Sequence, residues 1–131
     1  MKAEIETAIQ EIRDAFGCAL EIERDADGGA FVKALNLELG PQYEPDRSWV
    51  AFRITYQYPF ADVYPHMVVP NLRRRDGKAL GEAFHSENQA WEPPSGRQPA
   101  VMVSRSSKHR DPAVETAAIK LAKVLDWIRT R

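Results

Sequence analysis

Cysteine is almost missing from this chain: Cys18 is the only one among 131 residues. No internal disulfide can form, and a zinc site would have to be built from His66, His85 and His109, whose spacings of 19 and 24 residues make no metal-binding motif. No apolar run approaches the ~20 residues that a membrane-spanning helix needs. The opening MKAEIETAIQEIRDAF is charged throughout and carries no apolar signal stretch. A cytoplasmic domain with no metal and no membrane partner is therefore expected. An excess of one charge is missing too, with 18 basic against 19 acidic side chains and a net charge of −1, so no global field draws in nucleic acid. Glycines are few and scattered. Gly28-Gly29, Gly77 and Gly96 form no glycine-rich loop joining a strand to a helix, which leaves phosphate cradling and nucleotide cofactors unsupported.

What is present is enough for one core, since 44% of the residues are hydrophobic and residues 1–131 are about one domain long. Ile5, Ala8, Ile9, Ile12, Ala15 and Phe16 recur at three- and four-residue steps and predict an amphipathic helix closed by Gly17. The period then changes to two. Leu20 and Ile22 predict a short strand over Ala19–Arg24, followed by a hairpin at Asp25-Ala26-Asp27-Gly28-Gly29. A second strand follows, with Phe31, Leu35, Leu37 and Leu39 on one face and Val32, Ala34, Asn36 and Glu38 on the other. Val50, Phe52, Ile54, Tyr56 and Tyr58 alternate with polar or small residues in a third, and Met67-Val68-Val69 is a short fourth. Eight of the nine prolines lie between Pro41 and Pro99, which keeps helix out of the middle. Asn71–Gly96 reads as a long structured loop with a short helical turn over Lys78–Phe84, and loops of this length tend to be functional. Val101–Val103 is a further extended piece. Asp111 as N-cap and Pro112 at the first position start a last helix, with Val114, Ala117, Ala118, Leu121, Val124, Leu125 and Ile128 as its buried stripe. The sum is an α+β domain: N-terminal helix, four-stranded antiparallel meander, long loop, and a C-terminal helix packed on a sheet covered on one face.

Few residues suggest chemistry. Cys18 sits between a helix and a strand bearing Glu21 and Glu23, which predicts an ordinary or buried thiol rather than a nucleophile. His85 lies near Glu82, Glu87 and Asn88, so it is either a general base or, as is commoner, a solvated loop histidine. Arg73-Arg74-Arg75, with Lys78, forms a basic run that suits an acidic partner, and Arg105, Lys108, His109 and Arg110 form a second, which joins the first in space if the fold brings the two together. Without interleaved aromatics, neither points to nucleic acid. Trp91, beside Pro93 and Pro94, reads first as an anchor for the loop and second as a partner contact.

Phe52-Arg53-Ile54-Thr55-Tyr56-Gln57-Tyr58-Pro59, then Tyr64-Pro65, Pro70-Asn71, Asp76-Gly77 and Trp91-Glu92-Pro93, resembles the ubiquitin-conjugating enzyme (UBC-like) superfamily in order and approximate spacing. Members of that family carry a third strand ending in an aromatic-proline pair, a tyrosine-proline turn, a histidine-proline-asparagine turn, a glycine shortly before the catalytic cysteine, and a tryptophan-x-proline loop. The element order is similar as well, and the resemblance covers nearly the whole chain.

The departures fall on the chemistry. Val69 stands where the family has histidine, and the family's catalytic cysteine would fall near Ala79 or Leu80, where there is no sulfur to hold a modifier as a thioester. Cys18 lies in the wrong element to replace it, and the family's two further C-terminal helices have no counterpart. The resemblance therefore implies a cysteine-less variant, like prokaryotic UBC-like, UEV and RWD domains. It would be a non-catalytic module that docks a ubiquitin-like protein or an activating-enzyme partner in a bacterial-type pathway, with Asn71, Ala79 and His85 marking a degenerate site. The alternative is an active thioester-forming enzyme whose cysteine has been replaced near Ala79, with Asn71 as its oxyanion-stabilising residue. A hydrolase using His85 is a third reading.

Overall fold

Apolar side chains at three- and four-residue steps roll the first segment into α1 (Ala3–Phe16), which buries Ile5, Ala8, Ile9 and Ile12. Gly17 ends it in the left-handed conformation, φ 59°, and its N–H returns to the Arg13 carbonyl. The computed structural model describes residues 1–131. After α1 come β1 (Leu20–Arg24), β2 (Ala30–Glu38), β3 (Tyr43–Glu44), β4 (Arg47–Ile54), β5 (His66–Val68) and β6 (Arg73–Arg74). The second half holds β7 (Phe84–His85), β8 (Ala90–Trp91), β9 (Gln98–Pro99), β10 (Val101–Val103) and α2 (Ala117–Arg129). The main sheet runs β1-β2-β4-β5-β10-β7, antiparallel at every pairing, and β3-β6 and β8-β9 are separate two-stranded ribbons. Six strands rather than four thus make the sheet, because Val101–Val103 and Phe84–His85 extend it beyond β5.

The β1–β2 hairpin depends on a close backbone approach. A Cβ on Gly29 would lie 2.5 Å from the Ile54 carbonyl oxygen, so only glycine fits there. Along β2 the alternation expected from the sequence breaks. Val32 and Ala34 face the core together with Leu37 and Leu39, whereas Phe31 and Leu35 turn away. The register explains it: Ala34 pairs with Val50 and Leu37 with Ser48, so the two residues Leu35 and Asn36 oppose the single residue Trp49, a bulge that flips the pattern. Asn36 takes φ 57° in the bulge, a conformation asparagine tolerates, and Arg47 donates to its side-chain and main-chain oxygens at 2.8 and 2.7 Å.

One core of α1, α2 and the inward residues of β2, β4, β5 and β10 holds Ile5, Ile12, Val32, Phe52, Val68, Val103 and Leu125. The opposite face is not bare. The β8–β9 ribbon folds across it, and Trp91, Ala51 and Ala100 pack there with Phe31, Trp49 and Met67. Glu23 accepts from the Ser95 N–H and hydroxyl at 2.8 and 2.6 Å and pins the ribbon's tip. The sheet expected to be covered on one face is covered on both.

Two end points also move. β4 begins at Arg47 and stops at Ile54, leaving Tyr56 exposed, while Tyr58 is buried and accepts the Ala117 N–H at 3.0 Å. α2 starts at Ala117, not near Pro112. Thr116 is its N-cap, accepting from the Ile119 N–H, and Asp111 caps a separate turn by accepting from Ala113. Val114 consequently lies outside the helix and is 61% exposed.

Candidate functional site

The helical turn expected over Lys78–Phe84 does not form. Gly77, Gly81 and Ala83 all take positive φ, which right-handed helix excludes, and the segment runs to β7 as an irregular, largely exposed stretch with Leu80 half-buried against the core. Asp76 fixes its start, accepting from the Lys78 N–H at 2.9 Å and from Arg74 at 3.3 Å. The Lys78 N–H, helped by the Arg74 guanidinium, holds the Asp76 carboxyl below the usual carboxylate value.

Ala79 lies on this stretch, exposed, and borders two open clefts. The larger, about 510 Å³, is lined by Arg74, Asp76, Lys78–Glu82, Arg105, Trp127, Thr130 and Arg131. The two basic runs do meet here, Arg74 and Lys78 from the first with Arg105 from the second. The sequence did not mark the two residues that complete the wall, Trp127 and Arg131. Arg105 and Arg131 place their guanidinium carbons 4.7 and 4.5 Å from the Trp127 ring, and Phe84 packs on the same indole at 5.4 Å. Gln42 holds this end of α2, donating to the carbonyls of Ile128, Arg129 and Arg131, while the Tyr43 hydroxyl donates to Ile128 at 2.8 Å.

Of the other sequence candidates, Arg73 and Arg75 both reach Glu44, at 3.0 and 3.4 Å, so two of the three consecutive arginines serve the β3–β6 ribbon. Asn71 is exposed in the turn after β5, whose Val69 N–H donates to the buried Ser48 hydroxyl. Neither Asn71 nor His85 lines the larger cleft, and His85 is exposed on the edge strand β7. Trp91 is 6% exposed and meets Phe31 edge-on at 5.7 Å, so its indole is taken up by packing and is not offered to a partner. Cys18 borders a different cleft, with Phe16, Leu35 and Arg129, and burial pushes its thiol up, the wrong direction for a nucleophile.

A second cluster was not legible as such. Lys120, 3% exposed, donates to Asp62 at 3.0 Å and to the Ser107 hydroxyl at 2.6 Å, and Glu115 lies 3.9 Å away. Ser107 also donates to Glu115, and Arg110 bonds the carbonyls of Pro59 and Glu115. A serine beside a lysine suggests a nucleophile and its base, but an ammonium flanked by two carboxylates has no lone pair to take the serine proton. The cluster instead clasps the Ser104–Thr116 connector to α2 and to the loop before β5. His66, fully buried next to it and 5.2 Å from Phe52 between ring centres, is pushed down to about 3 by burial and by Lys120, with Asp62 opposing.

No group of three or more histidine, cysteine, aspartate or glutamate side chains is arranged to hold a metal ion, and no helix is long and apolar enough to cross a membrane. Comparison with family models, with curated proteins and with solved structures found no match.

Proposed function

We propose that this chain is a UBC-like binding module without covalent chemistry, which docks a ubiquitin-like protein or an activating-enzyme partner in a cytoplasmic, bacterial-type conjugation pathway. In this reading α1 and the consecutive strands β1, β2, β4 and β5 are the family's helix and meander, and Asn71 and Ala79 mark the degenerate site. The observation that carries it is the stretch where the resemblance puts the nucleophile: Lys78–Gly81 lines two open clefts, with Ala79 exposed and Leu80 half-buried against the core, and holds no sulfur. An accessible segment without a thiol suits recognition of a partner rather than thioester transfer. The test is capture of ubiquitin-like and activating-enzyme proteins encoded in the same genome, run on non-reducing gels. Binding without a reducible adduct is expected. No interaction with any of them, or an adduct cleaved by reductant, overturns the reading.

A further inference from the structure

The cleft beside Ala79 has a charge pattern that the proposed function does not by itself require. Four basic side chains line it, Arg74, Lys78, Arg105 and Arg131, against two acidic ones, Asp76 and Glu82. Arg74 is committed to Asp76. Arg105 and Arg131 make no ion pair, unlike Arg73 and Arg75, which share Glu44. Each is held instead over the Trp127 ring, which restrains a long side chain while leaving its planar fork of donors unused. Lys78 uses only its main-chain N–H on Asp76.

We propose that this cleft binds an acidic peptide segment of a protein partner, with carboxylates seated on the Arg105 and Arg131 guanidiniums beside Trp127. Arginine forks match carboxylates two bonds at a time, and stacking on an aromatic ring reduces the freedom lost on binding. The occupant follows from charge and size. An excess of two positive side chains, four less two, balances one or two carboxylates. It is too small for the run of phosphates on a nucleic acid, and with a net charge of −1 the rest of the chain adds no attraction for one. A volume of about 510 Å³ is pocket-sized and more than a lone inorganic anion fills. The inference rests on the proposed function in one respect, since it names the chemistry by which the same partner is recognised.

The experiment is a titration of the isotope-labelled full chain with a hexaglutamate peptide, followed by NMR. The Trp127 indole N–H, the amides of Lys78–Glu82 and that of Arg105 are expected to shift. Arg105→Glu and Arg131→Glu should each weaken binding by roughly tenfold or more, about 1.4 kcal/mol, and Arg73→Glu, outside the cleft, should not. All three positions are exposed, so the variants keep the core intact. Absence of those shifts, affinity unchanged from the wild type in both Arg105→Glu and Arg131→Glu, or tighter binding of inorganic phosphate or an oligothymidylate at the same resonances overturns the proposal. The two readings fail separately. A genome-encoded partner captured equally by the wild type and Arg105→Glu removes the inference and keeps the proposed function, whereas peptide bound at the cleft of a chain that captures no such partner does the reverse.

Discussion

His66 enters the sheet at the first residue of β5 with both ring nitrogens buried and without a partner. A histidine held neutral at about 3 in the folded chain, against 6.5 for the free side chain, binds fewer protons than its unfolded counterpart throughout that window. Its contribution to stability is therefore complete above pH 6.5 and is lost as the pH falls towards 3. Urea unfolding of the wild type should lose up to about 1.4 kcal/mol per pH unit from this group alone. His66→Leu, which keeps an apolar body against Phe52, should show a shallower acid limb, and parallel limbs for the two proteins would remove His66 as the cause. At this scale the sequence was a poor guide. It shows three histidines and a proline-flanked strand, but not that Asp62 and Lys120, on either side of His66 and far apart in the chain, close around it.

The elements were more legible, and where they were not the competing signal can be named. Thr116 begins α2, although Asp111-Pro112 offers a stronger start signal in the sequence. Arg110 and Glu115 are drawn into the clasp around Lys120, and holding them there spends Asp111–Thr116 on a turn. Thr116→Ala should then cost about 1 kcal/mol of stability, as loss of an N-cap does, while Asp111→Ala on an exposed turn should cost less than half of that. Thermal unfolding of the two variants distinguishes them, and equal losses would put the helix start back at Asp111. α1 could be read from periodicity because one face of it is buried, and β4 because Val50, Phe52 and Ile54 alternate into the main core although Ala51 is buried on the other face. β2 could not be read through its length, because the bulge at Asn36 exchanges its faces midway. Lys78–Phe84 has good helix formers, but positive φ at Gly81 and Ala83 carries it into β7 instead.

For the molecule as a whole, the segment read from the sequence as a long structured loop anchored by Trp91 is built into the sheet's cover over part of its length. Its β8–β9 ribbon covers the outer face of the sheet through contacts that span the chain, Glu23 to Ser95 and Lys33 to Gln98, and no local pattern announces pairs 72 and 65 residues apart. Trp91→Ala should remove about 3–5 kcal/mol, the range for truncating a buried aromatic, and leave Phe31, Trp49 and Met67 open to water. Chemical denaturation and binding of a hydrophobic dye would measure both, and an unchanged midpoint would mean that the ribbon merely rests on the sheet. The candidate cleft was half legible: the two basic runs were visible, but Trp127 and Arg131 gain their meaning only when α2 ends beside Gly81.

The three indoles divide between these two regions, Trp49 and Trp91 under the ribbon and Trp127 at the cleft. Intrinsic emission from the protein is thus a sum of two separable signals. In a Trp127→Phe background only the ribbon is observed, so detachment of that cover during unfolding can be timed apart from any event at the recess, with no dye attached.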